Sequence, residues 1–160
     1  MTRTDTSPKS ENVTSRKDPV GLFNEDRARE YQAILPYVVG SQVLKGAEYM
    51  NIAAELEKHA QEELSHALII AKQIGYLGGM PTIRPKQVRT SARAKEVLRF
   101  DLENETETIR NYCQRVRQCD AFGEYAMAEH VREILMQEQD HQISLATALG
   151  IDVPNSKSDS

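Results

Sequence analysis

The stretches EELSHALII (residues 62–70) and QEQDHQISL (residues 137–145) decide the fold. Each places a histidine three residues after a glutamate, and the two pairs are Glu63 with His66 and Glu138 with His141. The chain has only 4 histidines, and its composition leads to an expectation of about 0.4 such pairs by chance. The repetition therefore indicates a local structure that the chain uses twice.

Both stretches lie within runs whose apolar residues recur at intervals of three and four, which predicts amphipathic helices. The first helical face comprises Ile52, Leu56, His59, Glu63, His66, Ile70, Ile74 and Leu77. The second comprises Met127, Val131, Ile134, Glu138, His141, Leu145 and Ala148. In both helices the glutamate and the histidine share the apolar face, so we expect them to point into a core.

Two further helices are predicted over residues 22–45 and 92–119, and each carries one glutamate on its apolar face, Glu30 and Glu105. Pro36 predicts a kink in the first of these helices. Gly46 and the segment DAFGE (120–124) predict short turns, which join antiparallel neighbours.

The two halves of the chain match at one constant offset in numbering. Glu30, Ile34, Tyr37, Glu63 and His66 have counterparts in Glu105, Ile109, Tyr112, Glu138 and His141. The joining segment GYLGGMPTIRPKQVRT (75–90) is rich in glycine and proline and can extend over about 50 Å, the length of a helix bundle. We therefore predict an all-α four-helix bundle, two similar hairpins with one long crossover between helices 2 and 3.

Composition limits the remaining organisation. Residues 1–19 are polar and predict a flexible arm, 20–150 the bundle and 151–160 a C-terminal tail. The net charge of -4 argues against nucleic acid as a partner, and no apolar run predicts a membrane span or a signal peptide. Cys113 and Cys119 form no C-x-x-C pair, which fits a reducing cytoplasm.

Six polar groups thus converge on one predicted core: Glu30, Glu63, His66, Glu105, Glu138 and His141. Buried carboxylates are costly unless they are compensated, and two divalent cations would balance four of them. Carboxylate with imidazole suits iron or manganese better than calcium. Tyr37 and Tyr112 are either hydrogen-bonding supports of the ligands or ordinary core aromatics, and His59 is either a support or transient metal ligand or a satisfied core histidine.

The segments EYQAILPY (30–37), EELSHA (62–67), DLENE (101–105) and EILMQEQDH (133–141) resemble the ferritin-like di-iron superfamily, and bacterioferritin in particular. The resemblance covers roughly residues 20–150. It implies that Glu63 and Glu138 bridge two iron ions, that Glu30 and His66 hold one of them, and that Glu105 and His141 hold the other.

Two departures from bacterioferritin refine this expectation. Leu64 stands where that family has the methionine that binds haem, so haem is not predicted. Only 19 residues follow His141, which leaves no room for the family's fifth helix. The resemblance therefore shifts toward the Dps-like mini-ferritins that keep a bacterioferritin-type site within one subunit, and it implies a dodecamer rather than a 24-mer. Cys113 and Cys119 do not match the cysteine pair of some of those proteins, and we interpret them as inert thiols.

The resemblance implies an iron-storage and detoxification protein with ferroxidase activity. It would oxidise Fe²⁺ with O₂ or H₂O₂ at a di-iron site within each subunit and store Fe³⁺ inside a hollow homo-oligomer. Manganese is the alternative metal, and a manganese catalase-like or peroxidase-like enzyme without storage is the alternative function. A third hypothesis is an interaction bundle whose polar core groups are only structural.

Overall fold

Four long helices make up most of the computed structural model, which describes residues 17–156. They are α1 (Lys17–Val43), α2 (Met50–Tyr76), α3 (Ala94–Ala121) and α4 (Tyr125–Leu149), with a short 3₁₀ turn (Ala47–Tyr49) before α2. α1 packs chiefly on α2, α3 packs on α4, and contacts between α1 and α3 and between α2 and α4 close the bundle. The prediction of an all-α four-helix bundle is confirmed.

The first helix differs from its predicted bounds. It begins at Lys17, inside the segment predicted as a flexible arm, whereas residues 1–16 of that arm and residues 157–160 of the tail lie outside the described residues. Pro19 is compatible with the first turn of a helix because N–H groups in that turn have no acceptor within the helix, so the N–H that proline lacks costs no hydrogen bond. The helix also continues past Pro36 to Val43.

The α3–α4 turn depends on a glycine. Gly123 has φ 74°, a left-handed conformation that side chains with a Cβ disfavour. This turn lets the Glu124 N–H donate to the Cys119 carbonyl at 2.9 Å, which satisfies an acceptor at the end of α3. The predicted turn at DAFGE therefore joins α3 and α4 as antiparallel neighbours.

The long connection between α2 and α3 runs along α1. Near its start, the Asn24 amide donates to the Met80 carbonyl at 3.0 Å, and the Thr82 N–H donates to Asn24 Oδ1 at 2.7 Å. Further along, the Lys86 N–H donates to the Ala28 carbonyl and the Gln32 amide donates to the Gln87 carbonyl. Because successive loop residues meet successive turns of α1, the connection is the predicted crossover.

The apolar core is divided into two parts by a polar middle. One part contains Phe23, Ile70, Ile74, Tyr112, Cys119, Met127 and Ile134 among others. The other contains Tyr37, Ile52, Leu56, Leu98, Leu102 and Leu145 among others. On each helix, the polar residues of the predicted site fall in sequence between these two sets. Over residues 17–156, none of the helices combines the length and the apolarity needed to cross a membrane.

Candidate metal centre

The structure brings all six predicted ligand residues together in the middle of the bundle. α1 contributes Glu30, α3 contributes Glu105, and α2 and α4 each contribute one glutamate and one histidine. Each of the six side chains is at most 2% exposed. The sequence pattern explains the burial of the glutamate–histidine pairs. Residues i and i+3 lie on the same side of a helix, and here that side is the apolar face, which packs into the core.

Two overlapping sets of donor atoms result, each spanning no more than 4.8 Å. One set is Glu30, Glu63, His66 and Glu138, and the other is Glu63, Glu105, Glu138 and His141. Glu63 and Glu138 belong to both sets, so these two carboxylates lie between two possible cation positions. Their assignment as bridging ligands stays a prediction.

Both histidines direct Nδ1 toward the carboxylates. His66 Nδ1 lies 3.0 Å from Glu63 Oε2, 3.2 Å from Glu138 Oε1 and 3.4 Å from Glu30 Oε2. His141 Nδ1 lies 3.0 Å from Glu63 Oε1, 3.3 Å from Glu138 Oε2 and 3.8 Å from Glu105 Oε1. Nδ1 is therefore the ring nitrogen that each histidine can offer to a metal.

The opposite ring nitrogens have partners that the sequence prediction did not assign. His66 Nε2 lies 2.5 Å from Gln137 Oε1, and His141 Nε2 lies 2.8 Å from Glu62 Oε2. An acceptor at Nε2 holds the proton there and leaves Nδ1 free to bind a metal. The signal was in the sequence, because Glu62 and Gln137 each precede a predicted bridging glutamate and so occupy equivalent positions in the two halves.

The two predicted supporting tyrosines reach across the bundle. The Tyr37 hydroxyl donates to Glu105 Oε1, and the Tyr112 hydroxyl donates to Glu30 Oε1. Burial, together with the neighbouring carboxylates, raises the pKa of both phenols well above 10. Both tyrosines therefore remain protonated donors, and each fixes one oxygen of a predicted ligand from the other half of the chain.

Several buried atoms at the centre lack a hydrogen-bond partner among the described residues. They are Glu30 Oε2, Glu63 Oε1, both carboxylate oxygens of Glu138, and His141 Nδ1. Buried polar atoms are normally paired, and unpaired carboxylate oxygens beside an imidazole nitrogen suit first-row divalent metals. The donor set therefore fits a dinuclear metal site.

Protons take the place of cations in the metal-free centre. Burial, followed by the charge of Glu138, raises the pKa of Glu63 well above its usual range and that of Glu105 to about 8. Burial alone would lower the pKa of His66 and His141, but the surrounding carboxylates favour the protonated rings, outweigh burial and raise both pKa values. Cation binding must therefore displace protons from this centre.

His59 lies beside the centre without belonging to either main donor set. Its ring stacks on that of His141 with centroids 4.0 Å apart, and Nδ1 is buried without a hydrogen-bond partner in the described part of the chain. Burial lowers its pKa to about 3, so the ring is neutral. With Glu62 and His141 it forms a third group of possible donors, and its predicted supporting role stays a prediction.

Other predicted positions lie away from the centre. Leu64 is 51% exposed on α2. Cys113 and Cys119 are both free, and burial raises the pKa of Cys119 to about 11, which disfavours its reactive thiolate form.

Sequence reasoning missed a second pair of buried acids. Asp26 binds Arg115 through two hydrogen bonds, from Nε at 2.6 Å and from Nη2 at 3.1 Å. Asp101 occupies the equivalent position in the second half, is 2% exposed, and its Oδ2 has no hydrogen-bond partner within residues 17–156. The counterpart of Arg115 in the first half is Gly40, which cannot form an ion pair.

Comparison with known proteins gives consistent matches. A family model described as a ferritin-like domain matches residues 20–152. A bacterioferritin from Desulfovibrio desulfuricans is 30% identical over 123 residues, which cover 76% of this chain and 69% of that protein. A bacterial ferritin from Synechocystis is 24% identical over 117 residues, which cover 72% of this chain and 75% of that protein.

Two solved structures share the fold. A ferritin-like, diiron-carboxylate protein from Bacillus anthracis superposes with a TM-score of 0.80 and 28% identity, over 84% of this chain and 97% of that one. A dodecameric thioferritin, the bacterioferritin-related protein from Bacteroides fragilis, superposes with a TM-score of 0.77 and 26% identity, over 84% of this chain and 86% of that one.

Proposed function

The chain belongs to the ferritin-like family, and from this premise we propose that it is a ferroxidase that stores iron. The resemblance predicted from its four ligand segments is confirmed by the same matches. One observation carries the proposal, namely two buried donor sets that share Glu63 and Glu138, with one oxygen of Glu63 and both oxygens of Glu138 left without a hydrogen-bond partner among the described residues. The substrate would be Fe²⁺, bound two ions to a subunit.

Charge balance favours this substrate. The four carboxylates carry about four negative charges when they are ionised, and two Fe²⁺ ions supply four positive charges, with the two imidazoles neutral. Glu30 with His66 would hold one ion, Glu105 with His141 the other, and Glu63 with Glu138 would lie between them. Each ion then has carboxylate and imidazole donors and can keep a position open for an oxidant.

The oxidation removes one electron from each of two Fe²⁺ ions. O₂ takes up both electrons and two protons to give H₂O₂, or H₂O₂ takes up both electrons and two protons to give two molecules of water. The carboxylates and imidazoles of this chain would bring the two Fe²⁺ ions together and balance their charge. The Tyr37 hydroxyl orients one oxygen of Glu105, and the Tyr112 hydroxyl orients one oxygen of Glu30. Iron, rather than a resident haem, is the redox partner that we propose.

Assembly into a hollow homo-oligomer is supported by apolar surface on neighbouring helices. α1 exposes Leu35, Val38 and Val39, and α2 exposes Leu64 and Leu68, the last of these 61% exposed. Exposed apolar side chains on two adjacent helices favour a protein–protein interface on this side of the bundle. The dodecameric state of the Bacteroides fragilis relative favours a dodecamer here as well. A cytoplasmic location and the division into arm, bundle and tail stay predictions.

The test is to load metal-free protein with a large excess of Fe²⁺ in air and to follow iron and protein together on a sizing column. We expect far more than two irons per chain to co-elute with a particle of about twelve subunits. Iron that stops at about two per chain on a small oligomer would contradict storage. Two manganese ions per chain in protein purified from cells, without mineral, would favour the catalase-like alternative.

Variants test the centre itself. Glu63→Ala and His141→Ala should each slow Fe²⁺ oxidation severely while the helical content persists. Glu57→Ala, at an exposed position on the same helix as Glu63, and His130→Ala, at a partly exposed position on α4, are matched controls and should oxidise iron at the wild-type rate. Wild-type rates in both centre variants would refute the assignment.

A further inference from the structure

Among the positions next to the centre at which the two halves of the chain differ, one pair lies against the outer ring nitrogens of the histidines. Glu62 and Gln137 occupy equivalent places, each directly before a predicted bridging glutamate. One is a carboxylate and the other is its neutral amide analogue. The six predicted ligands themselves are the same in both halves, whereas their surroundings differ at this pair and at His59, whose counterpart in the second half is Ile134.

The contacts of these two residues cross between the halves. Glu62, on α2, accepts from Nε2 of His141 on α4 at 2.8 Å, and Gln137, on α4, accepts from Nε2 of His66 on α2 at 2.5 Å. Each half therefore supplies the outer partner for the other half's histidine. His141 has a charged partner and His66 has a neutral one.

A carboxylate and an amide act differently on a metal-bound imidazole. A charge-assisted hydrogen bond is roughly twice as strong as a neutral one, and a carboxylate on the outer N–H makes the inner nitrogen a stronger electron donor. The Glu62 side chain is only 26% exposed, and the Lys58 ammonium, which lies 3.7 Å from Glu62 Oε1, is 64% exposed. Because this ammonium is largely solvated, it offsets the charge of the Glu62 carboxylate only weakly.

We propose that Glu62 and Gln137 are positioning residues that make the two metal positions unequal, with the His141 position binding the tighter ion. The inference rests on the proposed function, since it assumes that the centre binds two metal ions. It assigns an order of filling, in which the position of Glu105 and His141 is occupied before that of Glu30 and His66. Replacement of such an outer partner typically changes metal affinity by about 10- to 100-fold.

The test isolates each position. Metal-free His66→Ala and His141→Ala proteins each keep one imidazole, and Co²⁺ binding to each is followed by visible absorption against a chelator of known affinity. We expect His66→Ala, which keeps His141, to bind its first Co²⁺ about 10-fold or more tightly than His141→Ala does. Adding Glu62→Gln to His66→Ala should lower that affinity by about 10- to 100-fold.

Two further double variants distinguish an effect on metal affinity through the histidines from a general loss of structure. Glu62→Gln added to His141→Ala should leave Co²⁺ affinity unchanged, because the histidine through which Glu62 acts is absent. Gln137→Glu added to His141→Ala should raise Co²⁺ affinity at the His66 position, a gain that lost structure cannot produce. Glu57→Gln removes one carboxylate from an exposed position of the same helix and serves as the control for net charge.

The outcomes distinguish the inference from the function. Equal Co²⁺ affinities in the two histidine variants, or a Glu62→Gln effect that persists without His141, would overturn the inference while the dinuclear centre stands. Failure of the wild-type protein to bind Co²⁺ at all would overturn the proposed function as well.

Discussion

The buried carboxyl of Asp101 should destabilise the protein at neutral and alkaline pH. It is 2% exposed, and burial raises its pKa from 3.8 to about 7, with only Arg89 opposing the rise. No ion pair to Asp101 exists among the described residues, whereas its counterpart Asp26 is bound by Arg115. Asp101→Asn removes the ionisable group with little change in shape, so it should stabilise the fold.

The size of the effect follows from the two pKa values. Below pH 3.8 the carboxyl is protonated in both the folded and the unfolded chain and adds no pH dependence. Between pH 3.8 and about 7 only the unfolded chain ionises, so the free energy of unfolding falls by about 1.4 kcal/mol per pH unit and is then constant. The stabilisation by Asp101→Asn should therefore be about 3 kcal/mol larger at pH 8.5 than at pH 5.

Thermal unfolding of the metal-free protein, followed by far-UV circular dichroism, measures this difference. For a chain of this size, about 3 kcal/mol corresponds to about 6–12 °C in Tm. Comparing the two pH values isolates the effect of ionisation. The cost of burying the amide introduced by Asp101→Asn is the same at both pH values and cancels.

Asp26→Asn is the matched control and should act in the opposite direction. Removing the carboxylate leaves the guanidinium of Arg115 buried without its charged partner, which typically costs about 3–5 kcal/mol. A Tm gain for Asp101→Asn that is equal at pH 5 and pH 8.5 would refute the argument from ionisation. A gain in stability for Asp26→Asn would refute the argument from the ion pair.

Three other predictions concern the centre and the surface. Tyr37→Phe removes the donor to Glu105 and should lower the free energy of unfolding of the metal-free protein by about 1–3 kcal/mol, and an unchanged denaturation midpoint would contradict this. Because burial raises the pKa of Glu63 and raises that of Glu105 to about 8, Co²⁺ must displace protons. Its affinity should therefore rise between pH 6 and 8.5, and pH-independent binding over that range would argue against it. Leu68→Arg should shift the particle toward smaller species in sedimentation velocity, because it places a charge on the exposed apolar surface of α2, and sedimentation identical to wild type would exclude Leu68 from the interface.

Much of the fold could be predicted because its signals are local and occur twice. The three- and four-residue spacing around Glu63 and Glu138 fixes which face of each helix is buried, and the constant offset between equivalent residues links the halves. Because one face of each helix must be buried, the six predicted ligands were expected in the core, and the structure brings them together there.

The remaining features depend on how the helices are rotated against one another. The acceptor for His141 is on another helix, 79 residues away, and the partner of Asp26 is 89 residues away. Helical spacing places such residues on a face but does not say which side chain of the opposite helix lies across from them. The start of α1 at Lys17 was missed for a different reason, since residues 17–21 (KDPVG) carry no apolar periodicity and include a proline and a glycine.

The crossover along α1 has a consequence for what the centre can become. Two separate copies of one helical hairpin could form a symmetric four-helix bundle, but identical copies must carry the same residue at both equivalent positions. A single continuous chain is free of that constraint, because each half is encoded independently. The crossover, which is hydrogen-bonded to Asn24, Ala28 and Gln32, joins the two halves into one chain and therefore permits a glutamate opposite one histidine and a glutamine opposite the other. Covalent continuity is what makes chemical asymmetry available to a two-fold architecture.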